Sequence, residues 1–490
     1  MKKLFVLVFA IALCLGVLCL GASASGSEPP LVDGAYQLDS VDDLFWFAEQ
    51  VNGGETGINA VLTADITINE NVLNEDGELN SGSFTQWTPI CGKEIWPKDY
   101  TKYTGTFDGG GHSISGLYYN GDGDYAGLFG YVGRDGRVQN VKVTDSYISN
   151  SEGAGRTGGV CGYNNGTITN CCNTGAVTGS HRVGGVCGGN GGMISNCYNA
   201  GAVTGSGNVG GVCGLNNGTI TNCYWLSSTA TKGIGAGSGE ATEKREVQFK
   251  SGEVAWLLNS STNGPWRQNL GEGGDAFPVL DSTHGEVVKL TVDGEVSYRN
   301  SGYEVEAPAD GKVYVDGDGN IVQTPYTVEA DTTLTSKYPV TAAIDTTSTL
   351  SKVYDGKKDA PDGLSITLEG VVSGDDVTAT AECSFEEVNV GSGKTITASN
   401  ITLTGEKAGE YVLRNTTAET DAGEITPRTV TITAEDKSAF MGDAMPELSY
   451  KADGFIGNDK LTEEPILSCN ADMTKAGTYE ITVSGGAASD

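Results

Sequence analysis

Gly-Val-Cys-Gly occurs three times at intervals of 26 residues, at 159–162, 185–188 and 211–214, and a related Gly-Leu-Phe-Gly stands at 127–130. Each copy is followed by a short stretch of apolar and polar residues that ends in asparagine. A third stretch, Gly-Ala-Val-Thr-Gly, recurs between the later copies. Repetition at a period of 20–50 residues is typical of proteins that stack one structural unit. The repeat therefore decides the fold of this part of the chain.

Each repeat predicts three short strands separated by glycine or Asn-Gly turns. Such short strands cannot bury an apolar face alone, so we expect each repeat to stack on the next as one coil of a parallel β-helix, at a spacing of about 4.8 Å. Equivalent residues then form ladders along the rod. The expected ladders are Val160, Val186 and Val212; Ile168, Ile194 and Ile220; Cys161, Cys187 and Cys213; Cys171, Cys197 and Cys223; and Asn170, Asn196 and Asn222. The asparagines are expected at a corner, where side-chain amides can bond from rung to rung.

The cysteines of the repeat admit two interpretations. They are small buried residues that fill a narrow core, or they form disulfides between rungs. Stacked Cα atoms about 4.8 Å apart lie within the range of a disulfide, but ladder geometry points neighbouring Cβ atoms the same way. A zinc site is disfavoured, because the repeats lack paired C-x-x-C knuckles. The choice between thiols and disulfides stays open.

Gly-Gly-Val-Cys-Gly, Ile-Thr-Asn-Cys-Tyr and Gly-Ala-Val-Thr-Gly, in this order within one repeat, resemble the GLUG repeat of bacterial surface proteins. The preceding segments 87–90 and 103–117 are similar to the coil that leads into such repeats. The resemblance extends over about residues 36 to 285. It implies a β-solenoid and supplies no catalytic residues.

Capping structures are expected at both ends of the rod, because open strand edges invite aggregation. Ser40 and the acidic residues after it predict a helix that runs through Asn52 and stops at Gly53-Gly54. A second short helix is expected over 253–258. The side chains expected to cover the last rung are Trp256, Trp266, Phe277 and Pro278. An aromatic sugar-binding platform is the alternative for these side chains.

Small β modules are expected after the solenoid. The end of 286–338 is similar to the B-repeats of internalin-type surface proteins. Residues 339–427 alternate strands and turns as a β-sandwich does, and Tyr-Asp-Gly at 354–356 resembles the start of the YDG module of bacterial surface proteins. Residues 428–490, with Met-Gly-Asp-Ala-Met-Pro at 441–446, resemble an MBG module without its closing strands.

The start of the chain and its charge indicate export. Lys2, Lys3, an apolar run and Ala-Ser-Ala at 22–24 predict a secretory signal peptide. The formal net charge of −33 repels nucleic acid and anionic lipid, so no nucleic-acid partner is expected. No later stretch is apolar enough to span a membrane, so no membrane span is expected in the mature chain.

The sequence offers little that indicates catalysis, and no catalytic, cofactor-binding or metal-binding residue is predicted. None of the three histidines, His112, His181 and His284, belongs to a catalytic motif, and all three are expected in solvated loops or turns. The enzyme alternative is a polysaccharide lyase or glycosidase on the β-helix groove; glycosidases need two carboxylates roughly 5 to 9.5 Å apart. Its candidate acids are Asp108, Asp122, Asp124, Asp135 and Asp145.

The sequence therefore predicts an all-β chain in which a parallel β-helix with short capping helices is followed by small β-sandwich modules. The predicted segments are a signal peptide (1–24), a GLUG-type β-helix with an N-terminal cap helix (25–240), a C-terminal cap of the solenoid (241–285), a small β module (286–338), a YDG-type sandwich (339–427) and an incomplete MBG-type module (428–490). The predicted function is that of a secreted, adhesin-like or structural rod. Its expected partner is a host or matrix glycan or protein, or a cell-envelope component, and attachment is expected through sequence beyond residue 490.

Overall fold

The computed structural model describes residues 27–95, 99–151, 153, 155–259 and 264–489. The predicted signal peptide lies outside these residues. The chain forms two compact units. The first runs to residue 290 and also includes 296–303 and 327–331; the second contains 291–295, 304–326 and the chain from 332 onward.

The first unit is a parallel β-helix, which confirms the predicted fold class. Its coils contribute strands to four sheets, named sheets 1 to 4 in the order in which the chain visits them. Neighbouring strands in each sheet come from successive coils and run parallel, except for the first pair of sheet 1. Stacking of coils therefore builds the rod.

The strands of the rod have the following bounds. Sheet 1 contains Leu31–Val32, Ala35–Leu38, Asn59–Leu62, Thr106–Asp108, Arg137–Gln139, Thr167–Thr169, Met193–Ser195 and Thr219–Thr221. Sheet 2 contains Ile66–Thr67, Ser113–Ser115, Lys142–Thr144, Cys172–Asn173, Tyr198–Asn199, Tyr224–Leu226 and Thr242–Lys244. Sheet 3 contains Tyr118–Gly121, Tyr125–Ala126, Tyr147–Asn150, Arg156–Gly158, Ala176–Gly184 and Val203–Gly210. Sheet 4 contains Phe129–Val132, Cys161–Asn164, Cys187–Asn190, Cys213–Asn216 and Ile234–Gly237. A separate antiparallel ladder joins Glu94–Ile95 to Asp99–Tyr100.

Sheet 1 shows how the sequence builds the main core. One column of its register is made of Phe107, Val138, Ile168, Ile194 and Ile220, all buried. The residues on either side of each are less buried, because successive side chains of a strand point to opposite faces. One face of the sheet therefore lines the core while the other meets solvent.

Sheet 3 departs from the prediction of three short strands per repeat. The strand Ala176–Gly184 continues through Gly-Ser-His, so the prediction that His181 lies in a turn is wrong: it lies opposite Gly207 in the neighbouring strand. The next rung pairs with this strand along its length, and the preceding rung pairs with its two ends, up to Gly179 and from Val183 onward, which stabilises the extended backbone. Val177 and Val183, from the two halves of this strand, form a buried cluster with Val203. Each coil thus gains an extended segment and a second, smaller core.

The last glycine of Gly-Val-Cys-Gly lies where the backbones of sheets 3 and 4 are in direct contact. A Cβ atom on Gly188 would lie 2.4 Å from the backbone nitrogen of Thr157 and 2.7 Å from the carbonyl carbon of Arg156. Backbone atoms cannot move aside as a flexible side chain can. Glycine is therefore required here by the close approach of two sheets.

Helix α1, Val41–Gly53, closes the N-terminal end of the core. The Ser40 side chain accepts a hydrogen bond from the Asp43 N–H, and Gly54 ends the helix with a φ of 123°. The ring of Phe47 lies 5.6 Å from that of Phe107, between centroids. The predicted N-terminal capping helix is therefore present.

Helices α2, Glu246–Lys250, and α3, Glu253–Asn259, begin a segment that covers the side of the rod. On the outer face of sheet 2, Cys172, Tyr198 and Tyr224 stack in one column. The buried residues that cover this column are Phe249, Val254, Leu258, Trp266 and Leu280. The Tyr198 hydroxyl also donates a hydrogen bond of 2.7 Å to the Pro278 carbonyl.

The prediction that this segment covers the last rung is therefore wrong for Trp266, Phe277 and Pro278. The residue after each cysteine of the Cys171 row is apolar, which leaves sheet 2 with an apolar outer face that must be buried. The ring of Trp256 lies 5.7 Å from that of Tyr298, and its indole N–H donates to Asp331. At the last coil, Trp225, Ala230, Ile234 and Ala241 pack on the main core instead.

The second unit contains the predicted sandwich. Strand Thr332–Ile344 pairs with Val313–Val315, Ile366–Glu369 and Tyr411–Leu413, and a four-stranded sheet is formed by Ser351–Val353, Ala418–Thr426, Gly391–Thr404 and Thr378–Phe385. Side chains from both sheets share one core, which includes Ala342, Ile344, Phe385, Ile396 and Ile425. A 3₁₀ turn spans Ala408–Glu410.

Residues 430–489 form three two-stranded antiparallel ladders. They pair Thr431–Ala434 with Tyr450–Asp453, Leu461–Glu463 with Ala487–Ala488, and Ile466–Cys469 with Ile481–Ser484. Where the two units adjoin in sequence, the strands are Val287–Val292, Glu295–Asn300, Tyr303–Val305 and Tyr326–Val328. Among the described residues, no helix has both the length and the apolar character needed to cross a bilayer.

Candidate functional site

The apolar ladders lie in the main core. Ile168 pairs with Ile194 and Ile194 with Ile220, one rung apart. The N–H of Val160 donates to the carbonyl of Val186, and that of Val186 to the carbonyl of Val212, each at 3.0 Å. All six side chains are buried. These residues hold the coils together and are not exposed to a ligand.

The two cysteine rows are also internal. Cys161, Cys187 and Cys213 occupy one register column of sheet 4. In the second row, the backbone N–H of Cys171 lies 3.3 Å from the Cys197 sulfur, and the Cys223 thiol donates to the Thr221 carbonyl at 3.2 Å. All ten cysteines among the described residues are free thiols. The geometry thus matches the interpretation of cysteine as a small core residue.

We expect these thiols to be unreactive in the folded chain. The thiolate is the reactive form, and burial raises the pKa of the Cys172 thiol to about 12 and that of Cys161 well above its ordinary value. Iodoacetamide at pH 8 should therefore label only the half-buried Cys383 and Cys469 quickly, whereas all ten described cysteines react in guanidinium chloride. Mass spectrometry counts the adducts. Thiols that stay unlabelled in denaturant without reductant, and react after reduction, would contradict the free-thiol core.

The predicted asparagine row lies at the corner between sheets 1 and 2. Asn170, Asn196 and Asn222 adopt left-handed backbone conformations, with φ between 50° and 52°. Asn222 donates from Nδ2 to Oδ1 of Asn196 at 2.8 Å, and Asn170 donates to Asn140 of the preceding coil at 3.0 Å. The row therefore turns the chain at each coil, and its side chains bond between the rungs of Asn140 and Asn170 and between those of Asn196 and Asn222.

A second asparagine ladder is fully buried, and it was not among the predicted ladders. Asn164 donates to Oδ1 of Asn190 at 2.8 Å, and Asn190 donates to Oδ1 of Asn216 at 2.7 Å. The pair Asn173 and Asn199 forms the same contact at 2.9 Å. The signal for the first ladder was in the sequence: an asparagine stands three residues after each cysteine of Gly-Val-Cys-Gly.

A cluster of aromatic rings lies on the outer side of the rod and is not part of its main core. Tyr131 and Tyr163 stack on successive rungs of sheet 4, with ring centroids 5.0 Å apart, and Tyr125 lies 5.4 Å from Tyr131. The Arg156 guanidinium lies over the Tyr163 ring at 4.6 Å and over the Tyr125 ring at 5.4 Å. We name these four residues the tyrosine–arginine corner. The sequence analysis did not predict this corner, because Arg156 lies just before Gly159, the residue from which the 26-residue spacing was counted.

A second aromatic surface lies on the first half of sheet 3. Tyr118 and Tyr147 pair in register, and their rings stack with centroids 6.2 Å apart and an interplanar angle of 21°. Phe84 lies 5.3 Å from Tyr118. All three side chains are partly exposed. In the tyrosine–arginine corner Tyr163 is partly exposed and Tyr125 and Tyr131 are buried, so the rod presents partly exposed aromatic rings at two places.

The candidate acids of the enzyme alternative have structural partners. Asp108 accepts hydrogen bonds from Gln139 and Asn140, and Asp145 from the backbone N–H groups of Val72 and Leu73. Asp124 accepts one from the Tyr100 hydroxyl at 3.0 Å. Asp122 and Asp135 are exposed. These contacts hold loops and rungs in place.

Two further carboxylates of the first unit, Asp65 and Asp281, are stabilised in their ionised form by hydrogen bonds. Burial raises the pKa of Asp65, but hydrogen bonds from the backbone and hydroxyl of Ser113 bring it below its ordinary range. Hydrogen bonds from Thr283 lower the pKa of Asp281. A glycosidase general acid needs the opposite shift. His112 lies 3.6 Å from Asp65, and His284 lies 3.5 Å from both Asp275 and Asp281. Within the described residues, no group of three or more His, Cys, Asp or Glu side chains is arranged to hold a metal ion.

The comparison with domain families concerns the second unit. Residues 335–419 match the YDG domain, and residues 430–490 match the MBG domain of the YGX type. The chain carries a YDG domain followed by an MBG domain. This confirms the resemblance of both C-terminal modules, whereas the GLUG resemblance of the rod stays a prediction.

Two curated proteins are similar to part of the chain. It is 32% identical over 165 residues to halomucin of Haloquadratum walsbyi, a match that covers 33% of the chain and 2% of halomucin. It is 29% identical over 151 residues to an Evansella cellulosilytica protein described as a Gly-rich membrane protein, which covers 31% of the chain and 15% of that protein. The chain therefore spans only a small part of the length of these relatives.

Among solved structures, the chain is similar to a Bacteroides ovatus protein described as an immunoglobulin A1 protease. The likeness covers 50% of this chain and 91% of the other, at 18% identity and a TM-score of 0.33.

Proposed function

We propose that the chain is part of a secreted, adhesin-like structural protein of the cell surface, and that its β-helix presents a binding face to a glycan or protein. The observation that carries the proposal is the pair of aromatic surfaces on the outside of the rod. Its core is already closed by apolar, cysteine and asparagine ladders. Partly exposed aromatic rings such as Tyr118, Tyr147 and Tyr163 add area that a partner can cover.

The composition and the C-terminal domains support this proposal. A net charge of −33 keeps a long chain soluble and repels nucleic acid. The YDG and MBG domains resemble modules of bacterial surface proteins, and the names of the relatives, halomucin and a Gly-rich membrane protein, fit a surface role. In this proposal the second unit serves as a spacer.

A binding array with a turnover assay tests the proposal. The chain from residue 27 to 490 is applied to arrays of glycans and extracellular matrix proteins, and incubated with polysaccharides that are then assayed for new reducing ends. We expect saturable binding without turnover. Absence of any bound glycan or protein contradicts a presenting role, and turnover that persists through purification supports the enzyme alternative instead.

A further inference from the structure

We infer that the tyrosine–arginine corner binds an acidic sugar, a pyranose that bears a carboxylate, as part of a glycan. The inference rests on the proposed function and names the ligand class of one surface. Its starting point is the environment of Arg156, which lies on two tyrosine rings in a chain that has 63 acidic residues.

The guanidinium of Arg156 is held in place but not neutralised. Its Nη1 donates to the Tyr125 hydroxyl at 3.3 Å, and its buried Nε has no hydrogen-bond partner. In the part of the chain that the structure describes, no carboxylate forms an ion pair with it. A guanidinium has five N–H donors in a rigid fork that matches the two oxygens of a carboxylate. An arginine fixed on aromatic rings with donors left over is preorganised for such a ligand.

The next rung helps to fix this side chain. Gly189 follows Tyr163 in the register of sheet 4. A Cβ atom on Gly189 would lie 2.9 Å from Cδ of Arg156 and 3.0 Å from Cδ2 of Tyr163. Because glycine has no side chain, the stem of Arg156 and the ring of Tyr163 pack directly over the backbone of this rung. The guanidinium group is therefore presented from a stem that is held by its neighbours.

The surrounding groups suit the remaining features of a sugar. Burial raises the pKa of the Tyr125 hydroxyl to about 12, so it stays protonated at neutral pH and keeps its O–H donor while it accepts from Arg156. Asn165 donates to the Tyr131 hydroxyl at 2.8 Å, which fixes another hydroxyl at the corner. Arg182 directly precedes Val183, the residue that pairs with Thr157, so a second cation stands one rung from Arg156. Aromatic edges, hydroxyls and guanidinium groups together fit a carboxylated sugar better than an apolar peptide.

The chain as a whole favours an isolated acidic sugar over a polyanion. With a net charge of −33, long-range repulsion opposes nucleic acids and densely charged polymers. At contact distance the local groups determine whether a ligand binds, and the donors of Arg156 can pair with one ligand carboxylate. A short oligouronide is therefore the appropriate probe.

The test compares Arg156→Gln with Arg134→Gln in the full chain from residue 27. Arg134 is exposed in the loop after Phe129–Val132, so its substitution makes the same charge change outside the corner. Isothermal titration calorimetry measures the binding of tetragalacturonate and of its fully methyl-esterified form. We expect the esterified form and the Arg156→Gln variant each to lose at least about tenfold in affinity, since a charge-assisted hydrogen bond contributes roughly 1.5–3 kcal/mol. Arg134→Gln should bind as the parent does.

A second variant keeps the result interpretable if Arg156→Gln perturbs the rod. Tyr163→Phe removes only one hydroxyl, and we expect it to weaken tetragalacturonate binding severalfold with an unchanged tryptophan emission spectrum. Equal affinity for the acid and its ester, equal losses in the two arginine variants, or no binding of tetragalacturonate overturns the inference. If the chain then binds other glycans or proteins on the array, the proposed function stands without it; if it binds nothing, both fail.

Discussion

Asn190→Ala is expected to destabilise the β-helix by at least about 3 kcal/mol, because it leaves several buried groups without hydrogen-bond partners, at about 1–3 kcal/mol each. Asn190 accepts from Nδ2 of Asn164 at 2.8 Å and from the N–H of Gly192 at 3.2 Å, and it donates to Asn216 at 2.7 Å. Its side chain is 1% exposed. Water cannot replace these contacts without opening the coil.

Tryptophan fluorescence during urea unfolding measures this loss in the rod alone. All six tryptophans precede residue 267, so their emission reports the first unit and not the YDG and MBG domains. The matched control is Asn217→Ala, which removes the exposed asparagine directly after Asn216 and should change the stability by no more than about 0.5 kcal/mol. A similar midpoint for both variants would mean that the buried ladder contributes nothing beyond ordinary turns.

The ladders of the rod could be predicted because period and alternation determine them together. Once 26 residues make one coil, Ile168, Ile194 and Ile220 must stack, and the threonine or serine beside each must point the other way. The conformation of residues with turn-like composition was harder to predict. Gly-Ser-His at 179–181 has turn composition, but its extended form is stabilised by pairing with the next rung, which local sequence does not reveal.

The segment that covers sheet 2 shows a different reason why a prediction from sequence can fail. Trp266 and Phe277 were expected to cover the last rung, but the surface that they cover is the outer face of sheet 2. The information lay in the residues that follow the cysteine row, Cys172, Tyr198 and Tyr224, which give sheet 2 an apolar outer face that must be covered. The tyrosine–arginine corner was also out of reach, because it joins Tyr125 to Arg156 across coils of unequal length.

Ile194→Ala is expected to lower the stability of the rod by about 2–5 kcal/mol, the usual cost of truncating a fully buried isoleucine. Ile194 is 0% exposed and stands between Ile168 and Ile220, so its removal leaves a cavity between two rungs. Because each coil contacts only its neighbours, the lost contacts also weaken the transmission of stability along the rod. Unfolding followed by tryptophan emission should shift to lower urea and become broader as the coils on the two sides uncouple.

The control for this variant lies one residue away. Met193→Ala truncates a side chain of similar size on the same strand, but Met193 is 41% exposed and points away from the core. Its expected effect is within about 0.5 kcal/mol. A solenoid with the register described here requires this large difference between adjacent positions, because a shift of the strand by one residue would exchange their environments and reverse the ranking of the two variants.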